Sequence, residues 1–177
     1  MCGFVGIFGK IDSKLKEAGE KILHRGPDMQ KFCSGPDWSV QFNRLAILDL
    51  SAEGMQPFEY DGVTVFINGE IYNYRELKAE LAGHAFRTGS DCEPPLPLYL
   101  EQGLDGLDRL RGMYALAIHD PRQGGRLVLA RDPFGIKPLY YVEGAFGLAF
   151  ASEPGALIRA GLAGAALDDA RILELLQ

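Results

Sequence analysis

The feature that most constrains the fold of this chain is a succession of short strand-forming runs, each cut off by glycine, proline or a polar turn. Residues 3–8 form a short apolar run that reads as a buried strand. Residues 38–50 carry one or two strands, followed by a loop over 51–61. Val63-Thr64-Val65-Phe66-Ile67 is β-branched and aromatic, and it stops at Asn68-Gly69. A short strand is expected around Phe86, before the polar turn Thr88-Gly89-Ser90-Asp91. Residues 113–120 and 126–131 are two further runs, joined by Pro121-Arg122-Gln123-Gly124-Gly125, and residues 139–142 and 146–151 form a hairpin around Gly144. Strands that follow one another so closely pair antiparallel, and a sheet with one apolar face needs a cover.

Three stretches supply that cover. Leu15, Ala18, Ile22 and Leu23 recur at helical spacing over 14–24, and His24-Arg25-Gly26-Pro27-Asp28 ends the pattern. Over 73–82, Asn73 caps, Glu76 completes a capping box, Leu77 and Leu81 form the apolar edge, and Gly83 stops the helix. A third helix is expected over 98–109. The pattern therefore predicts an α+β fold of mainly antiparallel sheets covered by helices. Residues 167–176 read as the start of one more helix, and the expectation is a natural chain that continues past Gln177.

A chain of 177 residues suits one domain and buries roughly 70% of its unfolded surface, so it needs no disulfide or metal staple. Its net charge of -6, with no stretch that concentrates Lys and Arg, argues against a nucleic-acid partner. The apolar run near the start is interrupted by Gly6 and is far too short for a membrane span, and no signal-peptide layout precedes it. Cys2, Cys33 and Cys92 lack CxxC spacing, so neither a disulfide framework nor a zinc site is expected, and a reducing cytoplasm is the default location. Gly9-Lys10 is followed by Ile11 rather than a hydroxyl residue, and it is not a phosphate-binding loop.

Three groups of residues carry chemistry. Cys2 becomes N-terminal if Met1 is removed, and a thiol beside its own α-amine is an established nucleophile-base pair; a cysteine at this position taken alone is more often incidental. Asn68-Gly69-Glu70 follows a buried strand, where the Asn68 amide and Gly69 N–H can face a developing oxyanion, although Asn-Gly alone is usually a tight turn. Arg44 can clamp a carboxylate with paired bonds, and Glu70 and Asp91 can hold an ammonium, although each alone reads as a surface charge. His24, His84 and His119 read as structural.

In order along the chain stand Met1-Cys2-Gly3-Phe4-Val5-Gly6, His24-Arg25-Gly26-Pro27-Asp28, Arg44-Leu45-Ala46-Ile47-Leu48-Asp49, Asn68-Gly69-Glu70-Ile71-Tyr72-Asn73, Gly89-Ser90-Asp91, Arg131-Asp132-Pro133-Phe134-Gly135-Ile136-Lys137-Pro138-Leu139-Tyr140 and Ala151-Ser152-Glu153. As a set these resemble the N-terminal glutaminase domain of glutamine-hydrolysing asparagine synthetases, a class II (N-terminal nucleophile) glutamine amidotransferase. The resemblance runs over residues 1–160 and leaves 161–177 as a tail or the start of a linker. It implies a four-layer α-β-β-α sandwich. It also implies Cys2 as nucleophile with its own amine as base, Asn68 and Gly69 as oxyanion hole, Arg44 on the glutamine α-carboxylate, and Glu70 and Asp91 on its α-amino group. Backbone atoms of Ile47 and Leu48 would line the same pocket. No cofactor is implied for the glutaminase step. ATP and Mg are expected only in a synthetase domain, in cis or in trans, which takes the ammonia and lies outside these residues.

Three departures bear on that reading. Pro94, Pro95 and Pro97 fall where the family has a helix start, so this helix is expected to begin late or be distorted around Asp91. Pro154 replaces a helix-compatible residue. A retained Met1 would leave Cys2 with an amide nitrogen in place of its base. The competing readings are a non-catalytic glutamine-binding or regulatory module, and an N-terminal-Cys amidohydrolase acting on another amide.

Overall fold

The computed structural model describes residues 1–9 and 14–166. Within them, strands β1 (Gly3–Gly9), β2 (Met29–Ser34), β3 (Trp38–Arg44), β4 (Phe58–Tyr60), β5 (Val63–Ile71), β6 (Gly112–Asp120), β7 (Arg126–Arg131), β8 (Tyr140–Gly144) and β9 (Gly147–Ala151) form two sheets. The first has the order β2-β3-β1-β9-β8 and the second β4-β5-β6-β7, with antiparallel pairing throughout. Helices α1 (Leu15–Glu20) and α5 (Pro154–Arg159) cover the outer face of the first sheet. Helices α2 (Tyr74–Glu80), α3 (Pro95–Gln102) and α4 (Leu104–Leu107) cover the second. The expected four-layer sandwich is the observed one.

Side-chain alternation builds the layers. Along β1, Val5 and Ile7 point outward onto Leu15, Ala18 and Leu157, while Phe4 points inward. Along β5, Val63, Val65 and Ile67 pack outward on Leu77, Leu96 and Tyr99, while Phe66 points inward. Phe4, Phe42, Phe66 and Phe150 then meet between the sheets, Phe4 on Phe150 at 5.9 Å and Phe42 on Phe66 at 6.1 Å between ring centroids. Fully burying one such side chain contributes about 1.5–3 kcal/mol. Gly6 makes room for this layer: a Cβ there would lie 2.5 Å from the Phe150 ring.

The structure corrects several local expectations. Residues 29–34 and 58–60 form edge strands that were not foreseen; both are short, and β2 alternates weakly because it is mostly exposed. Phe86 lies in irregular chain rather than a strand. β5 does not stop at Asn68 but runs on to Ile71, because β6 pairs with it through Gly69↔Tyr114 and Glu70↔Met113. Asn73 occupies the N-cap position of α2 but makes no cap bond. Its side chain instead donates to the Arg109 carbonyl and accepts from Arg111 N, tying α2 to the approach to β6.

The proline-rich helix begins early, not late. Pro94 is the N-cap of α3 and Pro95 and Pro97 lie in its first turn. The N–H groups of that turn have no acceptor inside a helix, so three missing donors cost nothing there. The expected helix over 98–109 is two pieces, broken at Gly103, whose φ is 64°. Pro154 likewise starts α5. The helix expected over 167–176 lies outside the described residues.

Candidate active site

The alternation that builds the inter-sheet layer also decides where the reactive groups fall. Cys2 lies two residues before the inward Phe4, Arg44 two after Phe42, and Asn68 and Glu70 two and four after Phe66. All four therefore reach the same face at one end of the sandwich, where Arg44 ends β3 and Cys2 precedes β1. Loops on either side close the space: residues 45–49 bring Ile47 and Leu48, and the turn before α3 brings Asp91. Cys2, Arg44, Ile47, Leu48, Asn68, Gly69, Glu70 and Asp91, the whole expected set, line one cleft enclosing about 520 Å³, part of it open to solvent. The three histidines lie elsewhere: His24 on Glu153, His84 on Glu101, and His119 between the rings of Phe8 and Trp38.

The Cys2 sulfur lies 3.4 Å from the Leu45 N–H and 3.6 Å from the Leu45 carbonyl. Burial pushes its thiol pKa up; the Leu45 N–H, the N-terminal ammonium and Arg44 pull it back. Asn68 is fully buried. With its amide oriented to satisfy both ends, Nδ2 donates to the Cys2 carbonyl at 2.8 Å and Oδ1 accepts from Arg25 at 3.2 Å. Gly69 keeps ordinary extended backbone within β5 rather than forming the tight turn that Asn-Gly usually marks. Its need for glycine comes from packing, since a Cβ would lie 2.3 Å from the Met113 carbonyl.

Arg44 donates to the carbonyls of Ser51, at 2.6 Å, and Asp49, which fixes the guanidinium while leaving some of its five N–H donors free. Asp91 accepts from Ile71 N at 2.7 Å; burial raises its pKa, and this bond opposes the rise. The Asp91 turn is held from behind by Glu93, buried beneath it, which accepts from Arg87 N, Thr88 N, the Thr88 hydroxyl and the Tyr60 hydroxyl. Asp49 joins the two loops by accepting from Gly89 N at 2.8 Å.

The whole cleft thus unites a thiol, amide donors, one guanidinium, one ammonium and the carboxylates of Asp49, Glu70 and Asp91. The model of the glutamine amidotransferase domain family matches residues 1–177. The chain belongs to that family. It is 43% identical over 163 residues to asparagine synthetase [glutamine-hydrolyzing] 2 of Bacillus subtilis, covering 86% of this chain and 22% of that protein. To asparagine synthetase [glutamine-hydrolyzing] of Asparagus officinalis it is 40% identical over 161 residues, covering 86% and 27%. The chain spans about a quarter of the length of these curated relatives. Among solved structures, a glutamine phosphoribosylpyrophosphate amidotransferase from B. subtilis superimposes with a TM-score of 0.72 at 22% identity, over 90% of this chain and 44% of that one. At that identity the match speaks for the fold of this glutamine amidotransferase domain.

Sequence reasoning gave no individual role to several groups that shape the cleft. Arg25 donates to the Cys2 carbonyl at 3.1 Å and is itself held by Glu153. Gln56 brackets Ile67 with two bonds, fixing β5 just before Asn68. Lys137, almost wholly buried, lines the cleft from the turn before β8. Arg25 and Lys137 lie within the motifs quoted above and were legible there as motif members; Gln56 had no local signal. No helix among the described residues is long and apolar enough to cross a membrane.

Proposed function

We propose that, once Met1 is removed, this domain hydrolyses the side-chain amide of glutamine to glutamate and ammonia, with Cys2 as nucleophile. The observation that carries this reading is the convergence of Cys2, Asn68, Gly69, Arg44, Glu70 and Asp91 on one cleft. Arg44 takes the α-carboxylate of glutamine, and Glu70 and Asp91 take its α-ammonium, which leaves the side-chain amide reaching toward Cys2. The freed α-amine of Cys2 accepts the thiol proton, and sulfur attacks the amide carbon. Asn68 Nδ2 and the Gly69 N–H stabilise the resulting oxyanion. The protonated amine then passes its proton to the departing nitrogen, releasing ammonia and leaving a γ-glutamyl thioester. Water, deprotonated by the same amine, attacks the thioester to release glutamate and restore the thiol. This step needs no cofactor.

Residues 1–160 form the amidotransferase unit on this reading, and 161–177 a tail or the start of a linker. The ammonia serves an ATP- and Mg-dependent synthetase domain, in cis as in the much longer relatives or in trans, for an asparagine-type amidation. Free cysteines and a thiol catalyst fit a reducing cytoplasm.

A second reading rests on Met1 itself, which lines the cleft. While Met1 is present Cys2 has no free amine, and the cleft can bind glutamine without turning it over. Intact mass paired with a glutaminase assay separates the two. Met1 absent, with glutamate released by the wild type and not by Cys2→Ala, supports hydrolysis. Met1 absent, glutamine bound and no glutamate released would refute it.

A further inference from the structure

The segment 131–137 contains a motif to which the chemistry above gives no role. Its turn is built around Asp132, whose carboxylate accepts from the backbone N–H groups of Tyr114, Phe134, Ile136 and Lys137 at 2.9–3.2 Å. Burial opposes ionisation of Asp132, yet these four bonds outweigh it and hold its pKa below the usual carboxylate range. Arg131 adds bonds to the carbonyls of Lys137 and Gly135. So elaborate a turn delivers one side chain to the cleft: Lys137, 2% exposed.

A buried ammonium ordinarily carries its full set of acceptors, because an unpaired one is costly. Among the described residues the Lys137 ammonium has a single hydrogen-bond partner, the thioether of Met1. That is a weak acceptor, and it belongs to the residue whose removal arms the nucleophile. Loss of Met1 therefore leaves a buried cation facing the new N-terminus.

We propose that Lys137 is a positioning residue for the nucleophile: its buried ammonium holds the freed α-amine of Cys2 in its neutral, proton-accepting form and favours the thiolate beside it. The proposal rests on the glutaminase reading of the cleft. A cation close to an amine in a water-poor site raises the free energy of protonating that amine, and it stabilises a neighbouring thiolate. Both effects shift the reactive state toward lower pH. The groups that face Lys137 are Glu70 of β5, Cys2, Arg25 of the turn after α1, the N-terminal ammonium and Asp132 of its own turn. Burial and Arg25 lower the Lys137 pKa, while Glu70, Cys2 and Asp132 favour its charged form. The N-terminal ammonium already has a lowered pKa, from burial first and then from Arg25 and Lys137.

The test compares protein freed of Met1, confirmed by intact mass, as wild type, Lys137→Met, Lys137→Gln and Lys137→Arg. Two pH profiles are recorded: kcat/KM for glutamine, and the rate of Cys2 alkylation by iodoacetamide, read at Cys2 by peptide mapping. In the methionine and glutamine variants the acidic limb of both profiles should move up by about one pH unit, roughly a tenfold loss near pH 6.5 that shrinks to under about threefold at pH 9. Lys137→Arg keeps the charge and should keep the wild-type limb. An unmoved limb, a loss equal at every pH, or a limb displaced as far in Lys137→Arg would overturn the proposal. Absence of turnover in wild type would overturn the glutaminase reading alone, because the alkylation profile needs no substrate.

Discussion

Asp120 and Lys137 are both buried charges at sheet ends, and the protein treats them in opposite ways. Asp120 closes β6 at 1% exposure and is surrounded by donors: the Tyr99 hydroxyl at 2.8 Å, the Arg122 N–H at 3.0 Å, and the Arg122 guanidinium through two bonds at 2.9 Å. These hold its carboxyl well below the usual range, despite burial. Lys137, almost as buried, has one hydrogen-bond partner for its ammonium among the described residues, the Met1 thioether. The fold saturates a charge whose task is to hold β6 to α3. Among the described residues it leaves with only a weak acceptor the one that borders the cleft.

The comparison breaks first at Cys2. Cys2→Ala in protein lacking Met1 should abolish glutamate release and lower stability by no more than about 1 kcal/mol, the loss of one half-buried sulfur at the edge of the inter-sheet core; a glutaminase assay with a thermal melt checks both. Asn68→Ala should lower kcat by about 10²–10³ with a much smaller change in KM, the cost of one oxyanion donor. A rise in KM with kcat unchanged would instead make Asn68 a binding group only.

At the saturated end the effects should appear in stability. Asp120→Ala should cost about 2–3 kcal/mol by chemical denaturation, because it removes charged hydrogen bonds and strands the buried Tyr99 hydroxyl. Arg122 and Arg126, about half exposed, return to water at little cost. Cys2 alkylation in the folded fraction should be unchanged. Tyr99→Phe removes one bond of that cluster and should cost about 1–2 kcal/mol.

The pH dependence of this cluster has a definite sign. Asp120 has a depressed folded-state pKa, so its contribution is complete above the unfolded carboxylate value and falls away as pH drops below it toward the folded one. Denaturation midpoints of wild type and Asp120→Ala should therefore converge as pH is lowered through the acid range. Parallel curves would remove Asp120 from the ledger of acid stability.

Much of this was legible in the sequence where a pattern is local. The β-branched and aromatic run of residues 63–67 marks a buried strand, whose two faces the structure assigns to two cores, and the polar turns mark where most strands stop. Cys2, Arg44, Asn68, Gly69, Glu70 and Asp91 could be singled out because the motifs that hold them are short and contiguous. The misreadings share one cause. Asn68-Gly69 has the composition of a turn, but pairing with β6 keeps it in the strand. Pro94, Pro95 and Pro97 predict a late or distorted helix from propensity, whereas their placement at the N-cap and in the first turn makes them harmless. Asn73 has the signature of a cap, yet longer-range acceptors and donors on residues 109 and 111 capture its side chain.

By itself, the residue pattern determined most strands, the turns, the order of the motifs and hence antiparallel sheets covered by helices, since these follow from local backbone preference and from which residues avoid water. The four-layer arrangement came from the family resemblance those motifs carry. The resemblance implied one pocket for residues 2, 44 and 68; only the tertiary structure puts their side chains, far apart in the chain, around one cleft and adds Lys137 to them. Only there, too, did it become visible that one buried cation among them, Lys137, lacks a strong hydrogen-bond partner among the described residues. Pairing register and burial are properties of the assembled sheets, and no local segment encodes the electrostatic field that the others create around it.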